Sequence, residues 1–177
     1  MHHICRTQLK RSIMRAVVLA AAVLAVVLAA VFLLERNSDL IDQGELQGAP
    51  AALEERYGYT ELSPQGLCTV RLCGNPLIDN KEVYLYLTNL PSNAHLIRAE
   101  IYEAAVSVND QTGAESYVPG KLLGRTGFIH PGTYVEELTL NKPLAADETR
   151  VYIKIALRNA ETGQSEGYFY LGTILCK

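Results

Sequence analysis

From Leu67 to the C-terminus, hydrophobic and polar residues alternate with a period of two, as they do in β-strands that bury one face. The stretch "KEVYLYLTN" places Val83, Leu85 and Leu87 on one side and two tyrosines on the other, and "TRVYIKIALR" repeats the alternation. Turn-forming stretches such as "NLPSN" and "IHPG" interrupt the pattern at intervals of roughly ten residues. The pattern predicts about seven strands and no helix in this region.

Seven short, half-buried strands without helical periodicity between them favour two antiparallel sheets packed face to face. The chain contains no Trp, so it lacks the buried tryptophan of true immunoglobulin domains. We therefore predict an all-β fold, an immunoglobulin- or fibronectin-III-like antiparallel β-sandwich over residues 67–177.

A different pattern precedes the strands. Residues 16–34 are 19 consecutive uncharged apolar residues, which is long enough to cross a bilayer core as one helix. Four basic residues and no acidic residue come before this segment, whereas acidic residues follow it. The positive-inside rule then places the N-terminus in the cytoplasm. A cleaved signal peptide is the alternative, because small residues at suitable spacing lie within the segment.

These features predict a cell-membrane protein with one transmembrane helix and an extracellular C-terminal domain. Its parts are a basic leader at 1–15, the helix at 16–34, a stalk at 35–66 and the sandwich at 67–177. Without the leader, 12 basic and 19 acidic side chains remain. This negative balance disfavours nucleic acid and anionic lipid headgroups as partners.

The chain resembles small single-pass exported proteins of Gram-positive bacteria that carry one immunoglobulin-like sandwich. The resemblance covers residues 67–177 and rests on "LYLTNLPSN", "GKLLGRTGFIHPGTYVEELTL" and "VYIKIALRNAETG". It implies the architecture already predicted and brings no catalytic residues with it.

Motifs that would indicate an enzyme are absent from the sequence. The serines occupy neither a G-x-S-x-G nor an S-x-x-K setting, and the four histidines fall in the leader or beside turns. The loop "NDQTGAE" contains two acidic residues but lacks the regular acid spacing of a calcium loop. We predict that the protein is not an enzyme and binds no cofactor or metal.

Three cysteines, Cys68, Cys73 and Cys176, lie in the predicted extracellular part, where cysteines commonly pair. Cys68 and Cys73 are five residues apart on one predicted strand, too far for a bridge. In immunoglobulin-like sandwiches part of the first strand can lie parallel to the last strand, which would bring Cys73 beside Cys176. We predict that these two form a disulfide; three reduced thiols are the alternative.

The tyrosines near the C-terminus indicate a contact surface. A hairpin about "NAETGQSE" pairs Arg158 with Tyr168 and places five outward residues of its two strands on one face: Tyr152, Lys154, Arg158, Tyr168 and Tyr170. The third strand adds Arg98 and Tyr102 to this face. Tyrosine and arginine are enriched in interface hot spots, although exposed tyrosines also suit sheet faces that bind no partner.

From this face we predict a membrane-anchored, non-enzymatic interaction module, an accessory of a cell-envelope, transfer, secretion or adhesion assembly. Its partner would be another envelope protein or a second copy of the chain. A module that binds wall or host glycans through the tyrosines is the alternative, disfavoured by the absence of Trp.

Overall fold

The computed structural model describes residues 22–24, which are helical, and residues 44–177. Among these residues no helix is long and apolar enough to span a membrane. Apart from residues 22–24, the predicted transmembrane segment at 16–34 and the leader at 1–15 lie outside the described residues, so both stay predictions.

Residues 44–177 form ten strands and two single 3₁₀ turns, the latter at Glu55–Tyr57 and Pro64–Gly66. The predicted all-β class is confirmed for this part of the chain. In chain order the strands are β1 (Leu46–Gln47), β2 (Tyr59–Leu62), β3 (Val70–Cys73), β4 (Leu77–Asp79), β5 (Glu82–Asn89), β6 (His95–Val108), β7 (Glu115–Arg125), β8 (Thr133–Thr139), β9 (Glu148–Asn159) and β10 (Ser165–Cys176).

The strands join one sheet in the order β1-β8-β5-β4-β10-β9-β6-β7, and β3 pairs with β5 and carries β2 on its other side. Every pairing is antiparallel except that between β4 and β10, which is parallel. The disulfide prediction assumed that an early strand runs parallel to the last strand. The pairing of β4 with β10 fulfils this assumption.

Both halves of the sheet bury their inward side chains in a single hydrophobic cluster. Leu72 and Leu85 come from the half that contains β3 and β5, whereas Ile101, Ile153 and Ile155 come from β6 and β9. Because residues from both halves meet, the sheet must curve around one core. Each of these side chains contributes roughly 1.5–3 kcal/mol when it is fully buried.

A buried asparagine network ties the loop after β5 to the core. The side-chain amide of Asn89 donates to the carbonyl oxygens of His95 at 2.8 Å and Ile129 at 3.0 Å. Its oxygen accepts a hydrogen bond from Asn93, whose amide also donates to the main chain of Thr69. Because every polar atom of Asn89 is satisfied, its complete burial is not penalised.

The β6–β7 and β9–β10 hairpins close with the same turn. In "NDQTGA" and "NAETGQ", the asparagine oxygen accepts main-chain hydrogen bonds from the residues two and three positions later. The glycines, Gly113 and Gly163, both adopt positive φ, at 67° and 69°. The shared pattern N-x-x-T-G-x therefore specifies the turn twice.

The folded domain begins before the predicted boundary at Leu67. In the segment predicted as a stalk, β1 pairs with β8 and β2 pairs with β3. The Glu45 carboxylate accepts hydrogen bonds from Thr133 and from the main chain and ring of His130. Burial alone would raise the pKa of Glu45, but these hydrogen bonds hold it below its usual value.

The predicted Cys73–Cys176 disulfide is not formed, since Cys68, Cys73 and Cys176 are free thiols in the structure. The Cα partner of Cys176 in the parallel pairing is Leu77, four residues beyond Cys73. The register therefore places Leu77 beside Cys176, whereas Cys73 pairs with Tyr59 on β2. The prediction also placed Cys73 on the outward side, whereas it is fully buried next to its cross-strand neighbour Tyr59.

Candidate functional site

The outward side chains of β6, β9 and β10 form three cross-strand rows, because β9 lies between the other two strands. This arrangement brings six of the seven predicted surface residues side by side, and the seventh, Arg158, lies one row further along, opposite Leu96. The rows are Arg98–Ala156–Tyr168, Glu100–Lys154–Tyr170 and Tyr102–Tyr152–Gly172.

The register of the β9–β10 hairpin differs from the predicted one by two residues. Tyr168 lies opposite Ala156, not opposite Arg158, which pairs with Ser165. The turn closes early, with the Asn159 N–H donating to the Gln164 oxygen at 2.9 Å, and a bulge at Ser165–Gly167 follows. A shift of two residues keeps each side chain on its face, so Tyr168 still points outward.

A charged cluster with little access to water lies in the middle of this face. Glu100 is 5% exposed, and one carboxylate oxygen accepts hydrogen bonds from Lys154 Nζ at 2.9 Å and the Tyr102 hydroxyl at 2.8 Å. The other oxygen pairs with the Arg98 guanidinium. The cluster therefore holds two cations and a phenol around a single buried carboxylate.

The pKa values of this cluster follow from burial and hydrogen bonding. Burial alone would raise the pKa of Glu100, but hydrogen bonds from Lys154 and Tyr102 and the charge of Arg98 bring it below its usual value. Burial, together with the hydrogen bond to Glu100, raises the pKa of Tyr102 to about 12. Glu100 is thus ionised and Tyr102 is a neutral donor at physiological pH.

Aromatic rings cover the charged cluster. The Tyr170 ring makes edge-to-face contacts with Tyr102, Tyr152 and Tyr168, at centroid distances of 6.3, 6.2 and 5.5 Å. Lys154 Nζ also lies 4.9 Å from the centroid of the Tyr168 ring. Contacts of these kinds each contribute roughly 0.5–1.5 kcal/mol, so the rings are held in a defined arrangement.

Sequence reasoning missed two aromatic residues that extend the face. Phe128 lies between Arg98 and Arg158, whose Cζ atoms are 4.6 and 4.7 Å from its ring centroid. Tyr117 on β7 lies under Arg150 at 4.3 Å, and its carbonyl accepts a hydrogen bond from Tyr152. The N-x-x-T-G-x pattern of the two turns could have indicated Tyr117. It ends the β6–β7 turn before this residue and so assigns Tyr117 to strand β7.

Exposed apolar side chains concentrate on this side of the domain. Between residues 44 and 177, six of the nine large hydrophobic side chains that are exposed lie here. We call this surface, together with the three rows, the outer face. The six are Val106, Val108, Tyr117, Tyr168 (60% exposed), Tyr170 (42% exposed) and Ile174.

In the described part of the chain, no three His, Cys, Asp or Glu side chains are grouped closely enough to hold a metal ion. A groove of about 650 Å³ lies at one end of the outer face, between Arg150 and Ile174 on one side and Gly74 and Asn75 on the other.

Comparison of the chain with protein-family models, with curated proteins and with solved structures finds no match.

Proposed function

We propose that this protein is a non-enzymatic interaction module that binds another protein through the outer face of β6, β7, β9 and β10. The observation that carries the proposal is that six of the nine exposed large hydrophobic side chains between residues 44 and 177 lie on this face, with Tyr168 and Tyr170 towards one end and Val106, Val108 and Tyr117 towards the other. Contiguous exposed apolar patches on soluble domains commonly mark sites of interaction. Aromatic side chains rimmed by arginine are typical of binding hot spots.

The remaining features of the proposal concern architecture and location. The curved all-β sheet and its single core support an immunoglobulin- or fibronectin-III-like sandwich, related to small exported proteins of Gram-positive bacteria. The apolar sequence at 16–34 and the four basic residues before it support a single-pass anchor with a cytoplasmic N-terminus. The outer face would then meet a partner outside the membrane, as an accessory of an envelope, transfer, secretion or adhesion assembly.

A photo-crosslinking amino acid at position 168 of the full-length protein, expressed in its own cells, tests the proposal. We expect a discrete crosslinked partner protein at position 168 and none at position 84, which lies on β5 away from the outer face. Tyr168→Ser combined with Tyr170→Ser should weaken binding of that partner by about 30-fold, the equivalent of roughly 2 kcal/mol.

Tyr84→Ser combined with Tyr86→Ser is the matched control and should leave the affinity unchanged. Loss of folding in the Tyr168/Tyr170 variant would mean that these rings belong to the core. Normal partner binding by a folded variant would refute the outer face as the binding surface.

Carbohydrate binding is the second candidate, because the exposed Tyr168 and Tyr117 rings could stack on sugars. The crosslinking experiment separates the two proposals. A glycan-binding module would bind an array of wall or host glycans and yield no discrete protein at position 168.

A further inference from the structure

Strand β10 leaves one of its edges open. It pairs with β9 along its whole length, but it meets β4 only where Cys176 faces Leu77. No other strand in the described residues pairs with this edge, and residues 167–176 contain no charged side chain. Exposed edges are usually protected by charges, proline or bulges, and the bulge of β10 at Ser165–Gly167 lies before this open stretch. The strand at the far end of the sheet, β7, has such protection in Pro119 and Lys121.

The unused hydrogen-bonding groups of β10 can be assigned to individual residues. The Cys176 N–H donates to the Pro76 oxygen, on the β4 side, whereas the Lys177 N–H donates to the Asp147 oxygen, on the β9 side. Successive residues of a strand direct their main-chain groups to opposite edges. The N–H and C=O groups of Tyr168, Tyr170 and Gly172 therefore point to the open edge, where no main-chain partner is described.

An apolar slot lies beside this edge. It has a volume of about 350 Å³ and runs between two short segments, one on β10 and one at the end of β2. Its inward side chains pack against the core but are only partly buried, so an apolar side chain that entered the slot would extend the core. The lining residues are Leu62, Ser63, Pro64, Phe169, Tyr170 and Leu171, none of which is charged.

We propose that the open edge of β10 binds an extended segment of a partner protein as an additional β-strand. This segment would be uncharged, with apolar side chains at alternate positions, because the slot offers apolar contacts and no charge to pair. Main-chain hydrogen bonds from Tyr168, Tyr170 and Gly172 would supply affinity, and the slot would supply specificity. The inference rests on the proposed interaction role and adds the mode of recognition.

A single strand suits this site better than a second copy of the domain. The residues at 62–64 form the far wall of the slot, and Gly74 receives a hydrogen bond from the Thr173 side chain further along. If a second copy paired its own edge strand with β10, the next strand of its sheet would have to lie where these segments flank the edge. An isolated peptide segment has no such neighbour.

Hydrogen exchange of the full-length protein in detergent micelles tests the proposal, with a synthetic peptide of alternating Thr and Val as the probe. In the free protein we expect fast exchange at the amides of Tyr168, Tyr170 and Gly172 and slow exchange at those of Phe169 and Leu171. The peptide should slow the fast group. The same peptide with N-methyl groups along one edge should not bind, whatever the stability of the protein.

Leu62→Asp, which places a charge in the slot, should weaken peptide binding by about tenfold or more. Val118→Asp on the exposed part of β7 is the matched control and should not. Slow exchange at Tyr168, Tyr170 and Gly172 in the free protein would overturn the proposal, because the edge would already be occupied. If this protection increased with protein concentration, the occupant would be a second copy of the chain. Equal binding of the methylated and unmethylated peptides would also overturn it.

The side-chain variant distinguishes this inference from the proposed function. Tyr168→Ser alone keeps the main-chain groups of β10 and every residue that lines the slot, so it should still bind the peptide while binding the crosslinked partner more weakly. If this variant loses the partner and the Leu62→Asp variant keeps it, the outer face is the binding surface and the open edge is not.

Discussion

Replacing Glu100 with Gln should destabilise the domain more than any exposed carboxylate substitution would. The change keeps the size of the side chain and removes its charge. Arg98 and Lys154 would then lose their common counter-ion, at side-chain exposures of only 18% and 21%. Breaking a buried ion pair from one side is costly because the remaining charges stay poorly solvated.

The magnitude follows from the contacts that are lost. Hydrogen bonds to charged groups contribute roughly 1.5–3 kcal/mol each, and removal of one partner from a fully buried pair costs about 3–5 kcal/mol. Lys154 and Arg98 can partly reach water, which reduces the cost. We therefore expect a loss of about 2–4 kcal/mol in the free energy of unfolding, equivalent to a Tm lower by roughly 10 °C for a domain of this size.

Thermal and urea unfolding of the full-length protein, followed by the near-ultraviolet circular dichroism of its tyrosines, would measure this loss. Glu136→Gln, at an exposed position on β8, is the matched control and should change the stability by less than about 0.5 kcal/mol. Replacing Arg98, Glu100 and Lys154 together with apolar residues should be nearly neutral, since no unpaired charge remains.

The pH dependence gives an independent check. Because the folded-state pKa of Glu100 lies below its unfolded value, the stabilisation is complete above the unfolded pKa of about 4.3 and is lost as the pH falls through the folded pKa. The wild type and Glu100→Gln should therefore differ fully at pH 7 and converge in acid. Equal stability at pH 7, or a difference that does not shrink as the pH falls below the unfolded pKa, would refute this account of the cluster.

Three further predictions concern the fold. Gly113→Ala and Gly163→Ala should each cost about 1 kcal/mol, because both turns require positive φ and leave open space for the methyl group; clearly unequal costs would contradict the shared turn. Leu77→Cys should form a disulfide with Cys176 in protein kept under oxidising conditions, as non-reducing mass mapping would show, whereas a Cys176 linkage in the wild type would contradict the described register. Asn89→Ala should cost about 2–4 kcal/mol in urea unfolding by removing its hydrogen bonds to the His95 and Ile129 carbonyl oxygens and to the Asn93 amide, and a neutral effect would show that water replaces the amide.

The faces of the strands could be predicted from the sequence because strand periodicity fixes them. Val151, Ile153 and Ile155 are buried and Lys154 points outward, as the alternation of "VYIKIALR" requires. The predicted hairpin register was wrong by two residues, yet the tyrosines kept their side, since only an odd shift moves a residue to the other face. Periodicity thus tolerates errors in turn length.

The residues that lie opposite one another in strands distant in the sequence could not be predicted in the same way. The Cys73–Cys176 prediction needed the register of a parallel pairing between distant segments, which no local pattern encodes. The chain makes that pairing four residues after Cys73, at Leu77 of β4. Cys73 instead lies in the core, where burial raises its pKa to about 11 and keeps the thiol protonated. Phe128 was missed for the same reason, because tertiary contacts alone place a loop residue between two arginines.

The charged cluster and the rings above it have complementary roles on the outer face. Exposed aromatic side chains that bind a partner lose rotamer freedom on binding, which reduces affinity. Here Lys154 contacts the Tyr168 ring while it is held by Glu100, and Tyr102 contacts the Tyr170 ring while its hydroxyl is held by the same carboxylate. Glu100, which is only 5% exposed, therefore orders the rings of Tyr168 and Tyr170, which are exposed on the face. The buried carboxylate would support partner binding without touching the partner, by keeping both rings in one arrangement before the encounter.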